Sequence, residues 1–543
     1  MLPAAEIAPL TARAVPQALP RSAPPLRPVR PVPPDPKAWG PRLVARHGPI
    51  IQRWGEMAPA ALTGVIISAL FWAPLVAPWL IALFVLAFNL NWLGRSIRAA
   101  YYGVQGFRRL RQETQTDWRR RYETDLDERR MPVAWESVYH VVVIPNFNER
   151  IEKLRLTLEH LAQQEWVAHQ IIVVLAMEAR EHGAAEKARQ LQKEFTGRFA
   201  HIFFTLHPVG LPGEVPGKSS NEDWAARWAK RYLVDELGYD LDALTITSCD
   251  ADSLFHPRYF SALTYQFCTD PQRYRAFWQS PIFLYNNIWQ VPSPTRLVSI
   301  LSTVNFLADL ANGRGLVFPQ STYSLSMRMA DEVGYWDGDV IPEDWHMFLK
   351  CFFALGGEVR VAPIFLPTGS DAVYSGTYWG SLVTRYKQAK RHAWGAIDIP
   401  YTIQQFLLHP EVSVRRKAQR LWAVTENHLV WSTHWFVLSL GGTIPATLAP
   451  ELNAWGIVPG GLPTLVSLLL TACLVPFVVV IWLDAQMRPS PPEHLKGWQV
   501  AAMHLQWFLL PVTSLVFSAL PALDAQTQMF RGKPLVYQVT EKA

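Results

Sequence analysis

Along the 543 residues, apolar and charged positions are strongly segregated. Four windows contain no Asp, Glu, Lys or Arg: 57–94, 427–450, 452–483 and 497–523. About 20 largely apolar residues cross a bilayer as a helix, so each window is long enough to span. Pro74 and Pro78 near the middle of the first window predict two short spans in a tight hairpin, with one long tilted span as the alternative. The windows after 427 predict about three more spans, and within the windows the titratable side chains of note are His428, His434 and His504.

Between these apolar blocks the pattern changes. Val141–Ile144 reads as a buried strand stopped by Pro145, and Leu154, Leu158 and Leu161 then place one apolar face on a helix over 151–165. Residues 171–175, 200–206 and 244–248 read as three further buried strands. Strands alternating with helices predict an α/β domain over about 131–400, with a mostly parallel sheet covered on both faces. Ligands of such sheets sit beyond the carboxyl ends of the strands, so chemistry is expected there.

Composition adds the setting. Only 18% of residues are charged, and the net charge of +6 matters less than its placement. Residues 95–130 hold ten Arg against six acids, and Arg415, Arg416, Lys417 and Arg420 form a second basic group inside 401–426. Basic segments beside spans favour the cytoplasmic side and anionic headgroups. They place the 131–400 domain in the cytoplasm of a multi-pass membrane protein, with a bacterial plasma membrane as the expected location. Membrane lipids are the expected surroundings and nothing points to nucleic acid. The loop 484–496, with Arg488 and Lys496, reads as cytoplasmic, whereas three spans would put the basic tail 524–543 on the other side. Residues 1–40 are Pro-rich and read as a disordered tail without a signal peptide. Cys249, Cys268, Cys351 and Cys473 are widely spaced, which argues against a disulfide framework or a zinc site.

Candidate chemistry lies at the strand ends. Asp250-Ala251-Asp252 follows the fourth strand, and two carboxylates one residue apart can hold a hard divalent cation on a diphosphate. The same spacing at Asp125/Asp127, Asp240/Asp242 and Asp337/Asp339 suits solvated turns. Pro145–Glu149 and Glu178 end the first two strands, where Asn148 or Glu149 could equally cap the next helix. Glu343-Asp344, between Pro342 and Trp345, is an acid pair beside apolar surface, suited to a general base or to a helix N-terminus. Gln388, Arg391 and His392 share a helical face, which either grips a phosphate or lies on a membrane surface.

In this order the motifs resemble those of membrane-embedded family 2 glycosyltransferases of the cellulose synthase-like kind. Pro145–Glu149 is similar to that family's first motif, Gly217–Asn221 to its GK…N segment and Asp250–Asp252 to DxD. Pro342–Asp344 is similar to TED, reached through Gln320–Arg328 and Val333–Asp337, and Gln388–His392 is similar to QxxRW. The resemblance implies a GT-A fold and transfer of a sugar, with inversion, from a nucleotide diphosphate donor to a polysaccharide or lipid-linked acceptor. Asp250 and Asp252 would bind Mg2+ or Mn2+, and Glu149, Glu178 and Lys218 would line the nucleotide pocket. Asp344 would be the base, Gln388 and Arg391 would hold the departing diphosphate, and Glu343, Trp345 and His392 would border the acceptor. The chain departs from the pattern at Ala176-Met177-Glu178, where Asp-Asp-Gly is usual, and at His392, where Trp is usual. A single-transfer glycolipid enzyme, or a non-catalytic scaffold or transporter component, are the alternative functions.

Overall fold

The computed structural model describes residues 36, 38–128, 133–313, 316–454, 458–493 and 495–535. The expected tail falls outside them except for residues 36 and 38–40. The first apolar window is two helices, α1 (Trp39–Val76) and α2 (Pro78–Glu113), hinged at Ala77, with Pro78 opening the second where a missing N–H costs nothing. Both helices run well past the charge-free window, so the basic stretch after residue 94 is largely helical, continuing in α3 (Trp118–Glu128).

The α/β domain follows. β1 (Tyr139–Asn146), α4 (Ile151–Ala162), β2 (Ile171–Glu178), α5 (Ala184–Glu194), β3 (His201–His207), α6 (Lys218–Lys230) and β4 (Leu244–Ser248) alternate along the chain. After them come β5 (Leu254–Phe255), α7 (Tyr259–Thr269), β6 (Ala276–Gln279), β7 (Ile282–Phe283), α8 (Ser293–Asn312), β8 (Tyr323–Ser326), α9 (Met327–Glu332) and α10 (Glu343–Ala354). β9 (Arg360–Pro363), β10 (Thr368–Gly369) and α11 (Tyr378–Ala393) complete it. The main sheet has the order β3-β2-β1-β4-β8-β6-β9, and a small sheet has the order β5-β10-β7. β1 pairs in parallel with both β2 and β4, whereas β8 runs antiparallel to β4 and β6. β2 is buried along its whole length, as a strand covered on both faces must be. Along β1, Val141 and Val143 enter one core while Val142 and Ile144 enter the other.

Two local expectations are corrected. Pro145 does not stop β1, which continues to Asn146 and pairs there with Met177. β4 ends its pairing with β1 at Val143–Ser248, so Pro145 lacks an N–H only on the side where no partner remains. Neither Asn148 nor Glu149 caps α4: the cap position is Arg150, and Asn148 takes a left-handed turn (φ 60°).

Strand order reverses between β1 and β4, because β2 and β3 lie to one side and β4 to the other. A crevice opens at such a switch point beyond the carboxyl ends. There β1 delivers Phe147–Glu149 and β4 delivers Asp250.

Beyond the domain come α12 (Asp398–Leu408), α13 (Val414–Leu440), α14 (Thr443–Leu448), α15 (Gly461–Ala472) and α16 (Leu474–Met487). Among the described residues four helical stretches are long and apolar enough to cross a membrane: Trp39–Val76, Pro78–Glu113, Gly461–Met487 and Gly497–Phe530. Two of these stretches follow residue 427. The 427–450 window falls on α13 and α14, split at Gly441-Gly442, and the first half of α13 carries Arg415, Arg416, Lys417, Arg420 and Glu426. The last apolar stretch reaches Phe530, so residues 524–530 are helix rather than tail. The four cysteines are free.

Candidate active site

A cavity of about 500 Å3 occupies the crevice and extends towards α8, α11 and α13. All eleven candidate residues line it: Glu149, Glu178, Lys218, Asp250, Asp252, Glu343, Asp344, Trp345, Gln388, Arg391 and His392. The other Asp-x-Asp pairs serve elsewhere. Asp242 pairs with Arg328, Asp240 receives the Asp242 N–H, and Asp337 pairs with His346 and Lys350.

Lys218, the first residue of α6, centres the acidic end. Its Nζ lies 2.8 Å from Asp250 Oδ1, 2.8 Å from Glu343 Oε1 and 3.9 Å from Glu222 Oε1, and donates to the Ser321 carbonyl at 2.7 Å. Burial alone would lower the pKa of this ammonium, but Asp250, Glu343 and Glu222 outweigh it and hold the pKa well above the lysine range. Glu222, fully buried beneath, is pushed up to about 8 by burial, against the pull of Lys218.

Ser321 ties three of these groups together. Its Oγ donates to Asp250 Oδ2 at 2.5 Å, its N–H to Asp344 Oδ2 at 3.2 Å, and its carbonyl accepts a hydrogen bond from Lys218 Nζ. The backbone does this from a left-handed conformation (φ 59°), uncommon outside glycine. Asp344, in the first turn of α10, also accepts the Trp345 N–H at 2.8 Å. Burial and then the Glu343 charge push its carboxyl up to about 7, while Lys218 and the two N–H donors act in the opposite direction. The acid pair opens α10, and its Asp344 carboxyl lies near neutrality, the range that suits a general base.

Asp252 is pinned separately. Its Oδ2 accepts Ser370 Oγ at 2.8 Å and Asp371 N–H at 2.7 Å, and Asn286 Nδ2 bridges the Asp252 carbonyl and Asp371 Oδ1, both at 3.2 Å. Asp371 pairs with Lys153 at 3.1 Å, and Lys153 lies 3.7 Å from Glu149. Gly369 permits this approach, since a Cβ there would meet Asn286 Oδ1 at 2.3 Å. Among the described residues no three His, Cys, Asp or Glu side chains form a ready-made metal cage. Two carboxylates at one cavity edge nonetheless fit Mg2+ or Mn2+, which take one or two protein carboxylates and complete their shell with phosphate oxygens and water.

Glu178 forms a two-pronged pair with Arg180 (2.8 and 3.2 Å), whose guanidinium lies 3.9 Å over the Phe147 ring. At the far end Trp345 stacks on Phe318 at 4.4 Å, and His428 of α13 sits 5.9 Å from Trp345. Gln388, Arg391 and His392 project from α11, and Arg385 one turn earlier donates to Gln388. Ser321, Arg180, Asp371 and Arg385 were not among the residues singled out by sequence, and His428 was noted only as a titratable group within an apolar window. Ser321 lies within the motif-like stretch 320–328, and Arg385 falls three positions before Gln388 on one face; Arg180 and Asp371 carry no local signal.

Residues 245–484 match the family described as "Glycosyl transferase family group 2". This part of the chain is a family 2 glycosyltransferase domain. The match begins at β4 and takes in Asp250, Asp252, Asp344 and Arg391, while β1 to β3 precede it. The sheet and crevice of the glycosyltransferase domain make it a GT-A-type α/β fold. No curated protein matches the chain. Among solved structures, the chain is similar to the mannosyltransferase PcManGT from Pyrobaculum calidifontis in complex with GDP-Man and Mn2+, at 15% identity over 78% of this chain and 99% of that one, TM-score 0.36. It is also similar to residues 1–349 of S. aureus TarS, at 10% identity over 66% of this chain and 95% of that one, TM-score 0.32. A third is GalNAc-T7 with UDP, GalNAc and Mn2+, at 13% identity over 56% of each chain, TM-score 0.30.

Proposed function

We propose that this glycosyltransferase works at a membrane, its catalytic domain on the cytoplasmic face, moving a hexose with inversion from a nucleotide diphosphate donor to a glycan or lipid-linked acceptor. The observation that carries the reading is that Asp344, a carboxyl poised near neutrality, shares one cavity with Asp250, Asp252 and Arg391. The acceptor hydroxyl attacks the anomeric carbon from the face opposite the leaving group. As the new C–O bond forms, the bond to the diphosphate breaks, the hydroxyl proton passes to Asp344, and the nucleoside diphosphate departs. A positioned base is worth about 10²–10⁴-fold. Glu149, Glu178 and Lys218 shape the nucleotide pocket, Gln388 and Arg391 meet the departing phosphate, and Glu343, Trp345 and His392 border the acceptor. Asp250 and Asp252 would hold Mg2+ or Mn2+, which when bound offsets the negative charge of the diphosphate.

The test is a screen of radiolabelled nucleotide sugars against membranes containing the protein, with and without EDTA, products being separated by size. Metal-dependent transfer is expected, and a ladder of products distinguishes polymer synthesis from a single addition to a lipid. Asp344→Asn is expected to abolish transfer while nucleotide binding persists; normal turnover by that variant would remove the base assignment.

A further inference from the structure

We propose that the Arg385 guanidinium is an anion subsite that takes a phosphate group of one of the reactants, an inference that rests on the glycosyltransferase reading above. Arg385 lies on α11, three residues before Gln388 and six before Arg391, and lines the same cavity. Among the described residues its one polar contact is the Gln388 side-chain oxygen, an uncharged acceptor. Its Nε is buried and has no hydrogen-bond partner among the described residues. No carboxylate offsets the burial, which by itself lowers the pKa to about 10.

Arg385 is set apart by its place in the cavity, since Arg296 also keeps a buried Nη1 without a hydrogen bond but does not line it. Arg273 donates to the Asp270 and Cys268 carbonyls, and Arg296 to those of Ile288 and Val291. Arg328 pairs with Glu332 and Asp242. A cation taken out of water without a counter-charge costs stability, and such a cost concentrates at functional sites. The guanidinium is permanently charged, planar and forked, which matches phosphate oxygens. At 1.5 Å per residue, Arg385 and Arg391 stand about 9 Å apart along the helix, so phosphates held by each need not be the same one.

Two sources share this chemistry. One is the diphosphate of the donor. The other is the phosphate of a lipid-linked acceptor, for which the setting is suitable: α11 exposes Tyr378, Trp379 and Val383 on its outer side and packs against the helix Leu520–Phe530 of the last apolar stretch. Exposed aromatic side chains beside a membrane helix belong at headgroup depth.

The experiment is calorimetric titration of the full chain in detergent, as wild type, Arg385→Gln and Arg385→Lys. The phosphate probes are UDP, GDP and farnesyl phosphate, and the uncharged controls are uridine, guanosine and farnesol. Arg385→Gln is expected to weaken at least one phosphate probe about tenfold or more, the scale of a hydrogen bond to a charged group, with the controls unchanged and Arg385→Lys intermediate. Loss confined to the nucleoside diphosphates assigns the subsite to the donor, and loss confined to farnesyl phosphate assigns it to the acceptor. The melting midpoint of the ligand-free protein is expected not to fall, because the charge removed had no counter-ion. Phosphate affinities within about twofold of wild type, or equal losses on phosphates and controls, overturn the proposal alone. Failure of the wild type to bind any phosphate probe overturns it together with the reading on which it rests.

Discussion

The two ends of the cavity solve the problem of buried charge in opposite ways. At the strand-end side, Lys218, Asp250, Glu343, Asp344 and Ser321, from the start of α6, the end of β4, the first turn of α10 and the approach to β8, form a set of ion pairs and hydrogen bonds. On α11, Arg385 has a neutral amide for company. Preorganised groups aimed at developing charge cost no reorganisation during a reaction, and the strand-end side has that character before any ligand arrives. The α11 side keeps a cation whose natural complement is an oxyanion. On the proposals above, the first end sets protonation and the second receives phosphate, so variants at each should fail in different observables.

The largest effect that separates them is expected from Lys218→Gln. Removing the ammonium leaves Asp250, Glu343, Glu222 and Asp344 facing one another, and breaking a buried pair costs about 3–5 kcal/mol. Transfer is expected to drop by at least about a hundredfold at neutral pH, on the scale of 1.36 kcal/mol per tenfold. Because Lys218 holds the Asp344 pKa down, its loss should also carry the acidic limb of the kcat/KM profile above its wild-type position. An unmoved limb would detach Lys218 from the base.

Wild-type enzyme should show that limb near pH 7, falling about tenfold per pH unit below it, since the base must be unprotonated to accept the hydroxyl proton. The same shift has a stability consequence of definite sign. The folded-state pKa of Asp344 lies above the ordinary 3.8, so between those values the unfolded chain sheds the proton first and the folded state is progressively penalised as pH rises. Asp344→Asn removes that penalty. Its melting midpoint should exceed the wild type's at about pH 8 and converge with it towards about pH 4, even though its transfer activity is gone.

How much of this could be read from the chain follows from how local each feature is. Residues 171–175 announced themselves as an apolar run and 244–248 as a strand of alternating Leu, Thr, Ile, Thr and Ser, and Asp250 stood out from three look-alike pairs because it follows one of them. Gln388, Arg391 and His392 were grouped by helical period alone, and α11 presents them to the cavity. Asp371 was invisible because it reaches Asp252 through β10, a two-residue strand paired with β5 and β7, too short for any periodic signal. His428 was placed within a charge-free window as an isolated titratable group, and its approach to Trp345 depends on how α13 packs against the domain. Absence of charge over the 24 residues of the 427–450 window does not reveal the helix break at Gly441-Gly442, which leaves residues 427–440 of that window on α13.

The smallest effect, and the sharpest test of the comparison, concerns Ser321. It was hidden in the sequence because nothing marks a serine that adopts a left-handed turn. The side chain and the backbone of this residue serve different partners: Oγ donates to Asp250, whereas the N–H and carbonyl serve Asp344 and Lys218. Alanine at the same backbone conformation keeps the second pair of contacts and loses only the first. One hydrogen bond to a charged group is worth about 1.5–3 kcal/mol, and Asp250 retains Lys218, so the lower figure applies. Ser321→Ala is therefore expected to raise the apparent metal and donor requirement by up to about tenfold, while the pH at which the acidic limb bends stays where it is. If that bend moves instead, Ser321 acts on the base through more than its backbone, and the separation between metal-side and base-side groups within the acidic end disappears.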